Sequence, residues 1–487
     1  MIEIAFFGVI ALFTFIAISN WRVGLYLAIF ADVMRDPVRK LSESQSVLLT
    51  VVGAVVWGGV LLGALNAEGK EMWAIFRRYR KFATALNCMI LSLIPGAILS
   101  MILYDGGYKL VVIGLISYLG PLIGIAVGFL LPVKEQDIYR VFRFYALINA
   151  VALIGTAVEA SGYTHRVLGG IEMDWLRQHE GLNVVLRAGV YRSPDIMGLH
   201  AAHVIVFSMM LGLKSRGPER MGWVAMIFWG LMCVLWSGRR KMVGIPLVFL
   251  ASYLGIGMLR GSQNASRLAT LAILLALGGT VGLFSMKEQV GSSEYTQYAA
   301  TLFTEGGGRA KQLIGDSIIH TLYQSGVLGA GIGSATQGAH YAAVDRGKAW
   351  QEDGASRLFK ELGVPGVILM FVAAVFVFQA VQGSLRLIPP QHPLAMKQIG
   401  VLGIVLGNVA SFTISHQQYS GDPGSAILAV MMLGMVMGIP RVYYNQKAEL
   451  ERRRAARESA EEKPEGPSVK GKGPRQPAAL RVSPQGT

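Results

Sequence analysis

Arg187, Arg192, Arg239, Arg240, Lys241 and Arg309 stand in polar segments set between long apolar runs. With Glu352, Asp353 and Glu361, they are the residues whose types could do chemistry. Three consecutive cations at 239–241 repel one another unless an anion lies among them, and a planar guanidinium bonds two phosphate oxygens at once. The other reading of this turn is snorkelling to lipid phosphates. Arg187 and Arg192, within Leu186 to Asp195, either contact a substrate or close their loop against its own carboxylates. Pro194 fits the first turn of a helix whose free N–H groups Ser193 or Asp195 helps to satisfy. Arg309 follows three glycines and opens a stretch with helical spacing at Leu313, Ile314, Ile318 and Leu322. That spacing gives an amphipathic helix with an apolar face to lay on a membrane domain, leaving Arg309 at its start to face a ligand.

The carboxylates precede and enter an apolar run that begins at Val364. A carboxylate at a membrane boundary can serve as a general base, its pKa raised by partial desolvation or held down by neighbouring arginines. It can equally be a charge at a helix N-terminus, favoured there by the helix dipole. Gly329-Ala-Gly331-Ile-Gly333 is weak as a phosphate loop, because no strand precedes it and no Lys-Ser/Thr follows; tight turning explains it adequately. His340 reads as a surface or satisfied histidine. Cys88 and Cys233 fall inside apolar runs as small packing residues, with neither a disulfide framework nor a metal motif implied.

These residues must be positioned by membrane helices. Of 487 residues, 53% are hydrophobic and 15% charged, with mean hydropathy +0.46. Apolar runs reach the roughly 20 residues an α-helix needs to cross ~30 Å of hydrocarbon. A soluble enzyme with a large core would carry charges in nearly every window, and here several windows have none. The reading is therefore an all-α, polytopic membrane bundle of about 12 or 13 spans. A short span is expected at Val23 to Met34 and a span of ordinary length at Leu268 to Met286. The net charge of +15 does not point to nucleic acid, since the basic residues are scattered through connectors and a tail rather than gathered with aromatics. The start, Met1-Ile-Glu-Ile, lacks a basic region and cleavage site, so the first run should remain as a helix.

The bundle is expected over residues 1–440 and a basic cytoplasmic tail over 441–487, helical from Lys447 to Glu462 and disordered beyond. The excess of Lys and Arg in the tail and short connectors places the C-terminus inside and the segments 160–195, 237–241 and 287–363 outside. The long segment 287–363 should carry short amphipathic helices. The cations at 239–241 break the charge rule on that side, which marks them as functional candidates.

Taken in order, these motifs resemble the family of O-antigen ligases and Wzy-type O-antigen or exopolysaccharide polymerases. An Arg-x-x-Gly-x-aromatic-x-x-Pro stretch looks like Arg187 to Pro194, with the glycine one place early. A Ser-Arg-type turn is similar to Ser237-Gly-Arg-Arg240. An Arg before an amphipathic helix that ends in Gly-x-Gly-x-Gly looks like Arg309 through Gly333. A polar pair followed by Glu-x-Gly-x-x-Gly is similar to Glu352-Asp353 through Gly366. Where the ligases place a histidine taken as the base, this chain has Glu352, which favours a polymerase.

The resemblance implies a glycosyltransferase C-like bundle in the inner (plasma) membrane that needs no metal or cofactor. It would take glycan from a polyprenyl diphosphate (undecaprenyl diphosphate) on the external face and pass it to a glycan or lipid-linked acceptor. Glu352, Arg309 and Arg240 would be catalytic, and Arg239, Arg187, Arg192 and Lys241 would bind substrate. Membrane lipids and other polysaccharide assembly proteins are the implied partners. The rival readings are a lipid-linked oligosaccharide flippase or multispan transporter, and a non-catalytic subunit of a polysaccharide assembly complex.

Overall fold

The computed structural model describes residues 1–46, 48–171, 176–179, 182–261, 315–342, 344–345 and 351–461. The chain forms two units, Met1–Tyr443 and Tyr444–Thr487. Expectations that fall on Arg309, on the span Leu268 to Met286 and on the tail beyond residue 461 lie outside the described residues.

Among the described residues, eleven helices are long and apolar enough to cross a membrane. The first stretch of the bundle runs through α1 (Ile2–Ser19), α2 (Trp21–Leu41), α3 (Leu48–Arg78) and α4 (Arg80–Leu103). Two bent pairs follow, α5 (Gly107–Leu119) with α6 (Leu122–Leu130) and α7 (Glu135–Ala152) with α8 (Ile154–Ala160). Then come α9 (Pro194–Lys214), α10 (Pro218–Trp236) and α11 (Gly244–Leu259). A short α12 (Ser317–Ser325) precedes α13 (Gly354–Arg386), α14 (Pro393–Ile414) and α15 (Pro423–Glu461). The strands are Leu176–His179 and Leu182–Val185, an antiparallel pair with Leu176 opposite Val185.

Helix α2 differs most from the sequence expectation. The apolar run ends at Met34, yet the helix continues to Leu41 and buries Asp32, Arg35, Asp36, Arg39 and Lys40. A hydropathy window stops at those charges; the backbone does not, because neighbouring elements satisfy them. Helix α13 also starts earlier than Val364, at Gly354, and is broken at Gly363, whose φ of 64° no β-carbon would tolerate beside the Leu328 carbonyl. In α12, Ile318 and Leu322 are half-buried, while Leu313 and Ile314 lie outside the described residues.

Close helix approach comes from small residues. A β-carbon on Gly124 or Gly128 of α6 would meet backbone of α15 at 2.2 and 2.0 Å, and one on Gly434 would meet the Ile125 carbonyl at 2.3 Å. Such small-residue contacts let backbones touch where no water drives association. The outer faces of α4 and α13 keep Ile98, Ile102, Ile368 and Phe371 exposed, which suits lipid. At one end of the bundle meet the turns 42–46, 186–193, 237–243, 351–353 and 415–422, tied by Lys40 to the Tyr191 carbonyl, Lys241 to Ser415 and the His416 N–H to the Glu352 carbonyl. Arg22–Glu68, Arg143–Glu219 and Lys397–Glu135 mark the opposite end.

Candidate functional site

The site is built on the charged end of α2. Asp32, Arg35, Asp36, Arg39 and Lys40 recur every three or four residues, so they share one helix face. That face is buried: Arg35 is 1% and Asp36 1% exposed. Arg35 donates from Nη1 to Asp32 Oδ1 at 3.2 Å and to the Thr50 carbonyl at 3.0 Å, and its Nη2 contacts Asp422 Oδ1. Its Nε lies 4.0 Å from Asp36 Oδ1. Asp32 also accepts from Trp57 Nε1 at 2.9 Å, between Gly53 and Gly424, where a β-carbon would fall 2.2 Å from a carboxylate oxygen. Three carboxylates thus converge on one guanidinium. Breaking such a pair leaves a buried charge, at a cost of about 3–5 kcal/mol.

The same helix grips the loop before α9. Lys40 Nζ donates to the carbonyls of Gly189 at 2.8 Å and Tyr191 at 2.6 Å, and Asp36 Oδ2 accepts from the Arg192 backbone N–H at 3.1 Å. Arg192 then donates from Nη2 to the Gly421 carbonyl at 2.7 Å, with Asp422 Oδ2 at 3.9 Å. Asp422 stands just before α15. Burial alone would raise its pKa, but the guanidinium groups of Arg35 and Arg192 more than offset this and hold the carboxyl well below the usual range.

Above this cluster lies a cavity of about 420 Å³. Its lining is mixed: Arg39, Arg192, Asp195, Thr336, Gln337 and Gln418 supply polar groups, and Leu48, Val51, Ile113, Ile116, Pro121 and Ile196 supply apolar ones. Leu48, Val51 and Ile116 are 65%, 43% and 52% exposed, so the apolar part of the lining reaches the outer surface at the start of α3 and on α5. Arg39 is held by Nε to the Gln45 carbonyl at 2.9 Å and by Nη1 to Thr50 Oγ1 at 3.0 Å.

The cations after α10 lie one carboxylate away. Arg239 Nη2 and Lys241 Nζ are each 2.8 Å from Asp195, and Lys241 also donates to Ser415 Oγ at 2.6 Å. Counting Arg35, Arg39, Lys40, Arg192, Arg239 and Lys241 against Asp32, Asp36, Asp195 and Asp422 leaves two positive charges in excess. Arg240 begins the 3-10 turn Arg240–Val243, and its side chain, like that of His340, lies outside the described residues.

Glu352 is exposed and its carbonyl accepts from the His416 N–H at 3.1 Å. Its carboxylate acts electrostatically on Lys241. His416 is buried in the turn after α14, with Nε2 3.0 Å from the Gln351 carbonyl and Nδ1 2.9 Å from Ser420 Oγ. A carbonyl only accepts, so Nε2 carries the hydrogen and Nδ1 accepts from Ser420. Burial pushes this imidazole down to about 3, which keeps it neutral.

Other expected site residues take structural places. Arg187 pairs with Glu159 at 3.7 Å, and that carboxylate also accepts from the N–H groups of Ala188 and Gly189 at 3.0 and 2.6 Å. Arg187 therefore closes its loop and does not line the cavity. Asp353 caps α13, accepting from the Ser356 N–H at 2.7 Å. Glu361 is fully buried and accepts from the Ala335 N–H, Thr336 Oγ1, Tyr118 OH and Arg357 Nε at 3.0, 2.8, 2.7 and 3.2 Å. It fastens the glycine turn, in which Gly331 and Gly333 have φ of 90° and 84° and press on Ser100 and the Leu110 carbonyl. The turn is a packing device, as tight turning requires.

Arg35, Arg39, Asp422 and His416 were not among the sequence candidates. The first two carried a legible signal, since Asp32-x-x-Arg35-Asp36-x-x-Arg39-Lys40 continues the helical period of the apolar run before it. Among the described residues, no group of three or more His, Cys, Asp or Glu side chains could hold a metal ion. Compared with known proteins, the chain matches no family model and no curated protein.

Proposed function

We propose that this protein is a membrane glycosyltransferase that transfers or polymerises glycan units from a polyprenyl-diphosphate donor on the external face, as a polymerase rather than a ligase. The observation that carries this is the cavity of mixed lining. Arg39 and Arg192 line it with a net positive cluster beside them, and Leu48, Val51, Ile113 and Ile116 line it with apolar groups, of which Leu48, Val51 and Ile116 reach the outer surface. An amphiphile with an anionic head and a long apolar chain matches such a lining. The acceptor hydroxyl attacks the donor's anomeric carbon, the bond to the diphosphate oxygen breaks, and the electron pair leaves on the diphosphate. Positive groups held in a low-dielectric site stabilise that developing charge. Glu352, whose carboxylate acts electrostatically on Lys241, takes the acceptor proton.

The orientation follows from charge. The connectors Arg77 to Lys81 and Lys214 to Arg220, at the end opposite the cavity, are basic, which supports a cytoplasmic position for that end and an external one for the cavity. The test is extension of a polyprenyl-diphosphate oligosaccharide by the purified protein, followed as product length. Wild-type protein lengthens it, and Arg192→Ala does not. Wild-type protein that leaves the oligosaccharide unchanged while moving it across vesicle membranes would establish the flippase reading instead. That second reading is favoured by the buried charges of α2, since ionisable groups buried inside a membrane bundle mark transport paths.

A further inference from the structure

We propose that Asp195 is an internal counter-anion, seated in an anion site formed by Arg239 and Lys241, and that a phosphate of the ligand takes its place. The inference rests on the anionic-ligand reading above and adds how the site is kept neutral until the ligand arrives. Of the three residues, only Asp195 lines the cavity. Arg239 and Lys241 lie behind it, each 2.8 Å from one of its two carboxylate oxygens. A ligand phosphate in the cavity therefore meets a carboxylate first, although the groups that would bind it are immediately beneath.

Lys241 has a second partner, since its Nζ also donates to Ser415 Oγ at 2.6 Å. The backbone N–H of Arg239 donates to Ser237 Oγ at 3.0 Å, within the short turn between α10 and α11 that carries both cations. The backbone of that turn is held by its own hydrogen bonds, Gly238 N–H to the Leu235 carbonyl and Met242 N–H to the Arg239 carbonyl among them. Asp195 stands in the first turn of α9, whose N-terminal dipole favours a carboxylate in either rotamer. Carboxylate and phosphate offer the same acceptor oxygens to a guanidinium, but phosphate brings more charge and more oxygens. Two cations against one carboxylate leave a positive charge that the phosphate neutralises better.

Inorganic pyrophosphate is the probe, because it carries neither lipid nor sugar and so tests this anion site apart from the glycan reading, which stands or falls on the extension assay. Thermal unfolding of the full chain in detergent is followed against pyrophosphate concentration. Asp195→Asn should be half-stabilised at ~10-fold or more lower pyrophosphate than wild type, since it has no carboxylate to displace. The double variant Arg239→Gln/Lys241→Gln should not respond. An Asp195→Asn variant that needs the same or more pyrophosphate would overturn the proposal and leave Asp195 a fixed support. If that variant does not fold in chloride, the proposal requires that it fold when purified in pyrophosphate; failure to fold in both would equally overturn it.

Discussion

At one end of the bundle Arg35 is 1% exposed and holds Asp32, Asp36 and Asp422; at the other, Arg143 meets Glu219 at 2.6 Å with both side chains about half exposed. The residue types are the same and the physics is not. In water, ion pairs gain little, pay side-chain entropy and are screened by salt. Out of water, the charge cannot be abandoned once its partner is gone. The opposite end can therefore exchange its pairs with little consequence, whereas the cavity end is a single network in which Arg35, Asp422, Asp36 and Arg192 constrain one another. Fixed groups of this kind are what the proposed electrostatic stabilisation of a leaving group needs.

The comparison breaks first, and by the largest margin, at Arg35. Arg35→Ala or Asp422→Ala should cost about 3–5 kcal/mol or prevent accumulation of folded protein. Thermal unfolding of the purified protein checks this, and a loss no larger than at Arg143 would dissolve the contrast between the ends. Next come the two residues to which the proposed function gives a part in the reaction. Arg192→Ala and Glu352→Gln should each lower glycan extension by ~10²-fold or more with folded protein retained. Arg192→Lys should rescue poorly, because an ammonium cannot reproduce the fork. Wild-type extension by Glu352→Gln would remove that carboxylate from the mechanism.

A smaller effect sharpens the contrast through pH. His416 is neutral in the folded protein with a pKa lowered to about 3 from 6.5, so the unfolded chain binds the proton first as the pH falls. Stability from this group is full above 6.5 and is lost progressively toward 3. Asp422, also lowered, adds loss in the same acid direction. His416→Gln should flatten the unfolding temperature against pH below 6.5, and an unchanged slope would show that other groups dominate. The smallest effect is expected at the far end, where Arg143→Ala should change stability by only ~0–1 kcal/mol and less still at high salt.

The sequence by itself determined that the chain is a polytopic helical bundle, because a run of about 20 apolar residues has one stable state in hydrocarbon. It also marked Arg192 and the 237–241 turn as places where charge interrupts that pattern, and the Asp195-bearing helix start by its Ser-Pro-Asp. It could not decide which charges face a ligand. Arg187 and Arg192 are five residues apart in one loop, yet one closes on Glu159 and the other lines the cavity. Glu361 and Asp353 read as catalytic candidates until their oxygens are seen to hold the glycine turn and the start of α13. Arg39 and Asp422 share a site although nearly four hundred residues separate them, and the apolar run before Arg39 appeared to end at Met34. Local pattern records how a segment meets solvent or lipid. Which buried charge answers which is settled only where helices cross, because a desolvated ion must be satisfied by whatever the tertiary structure brings within reach.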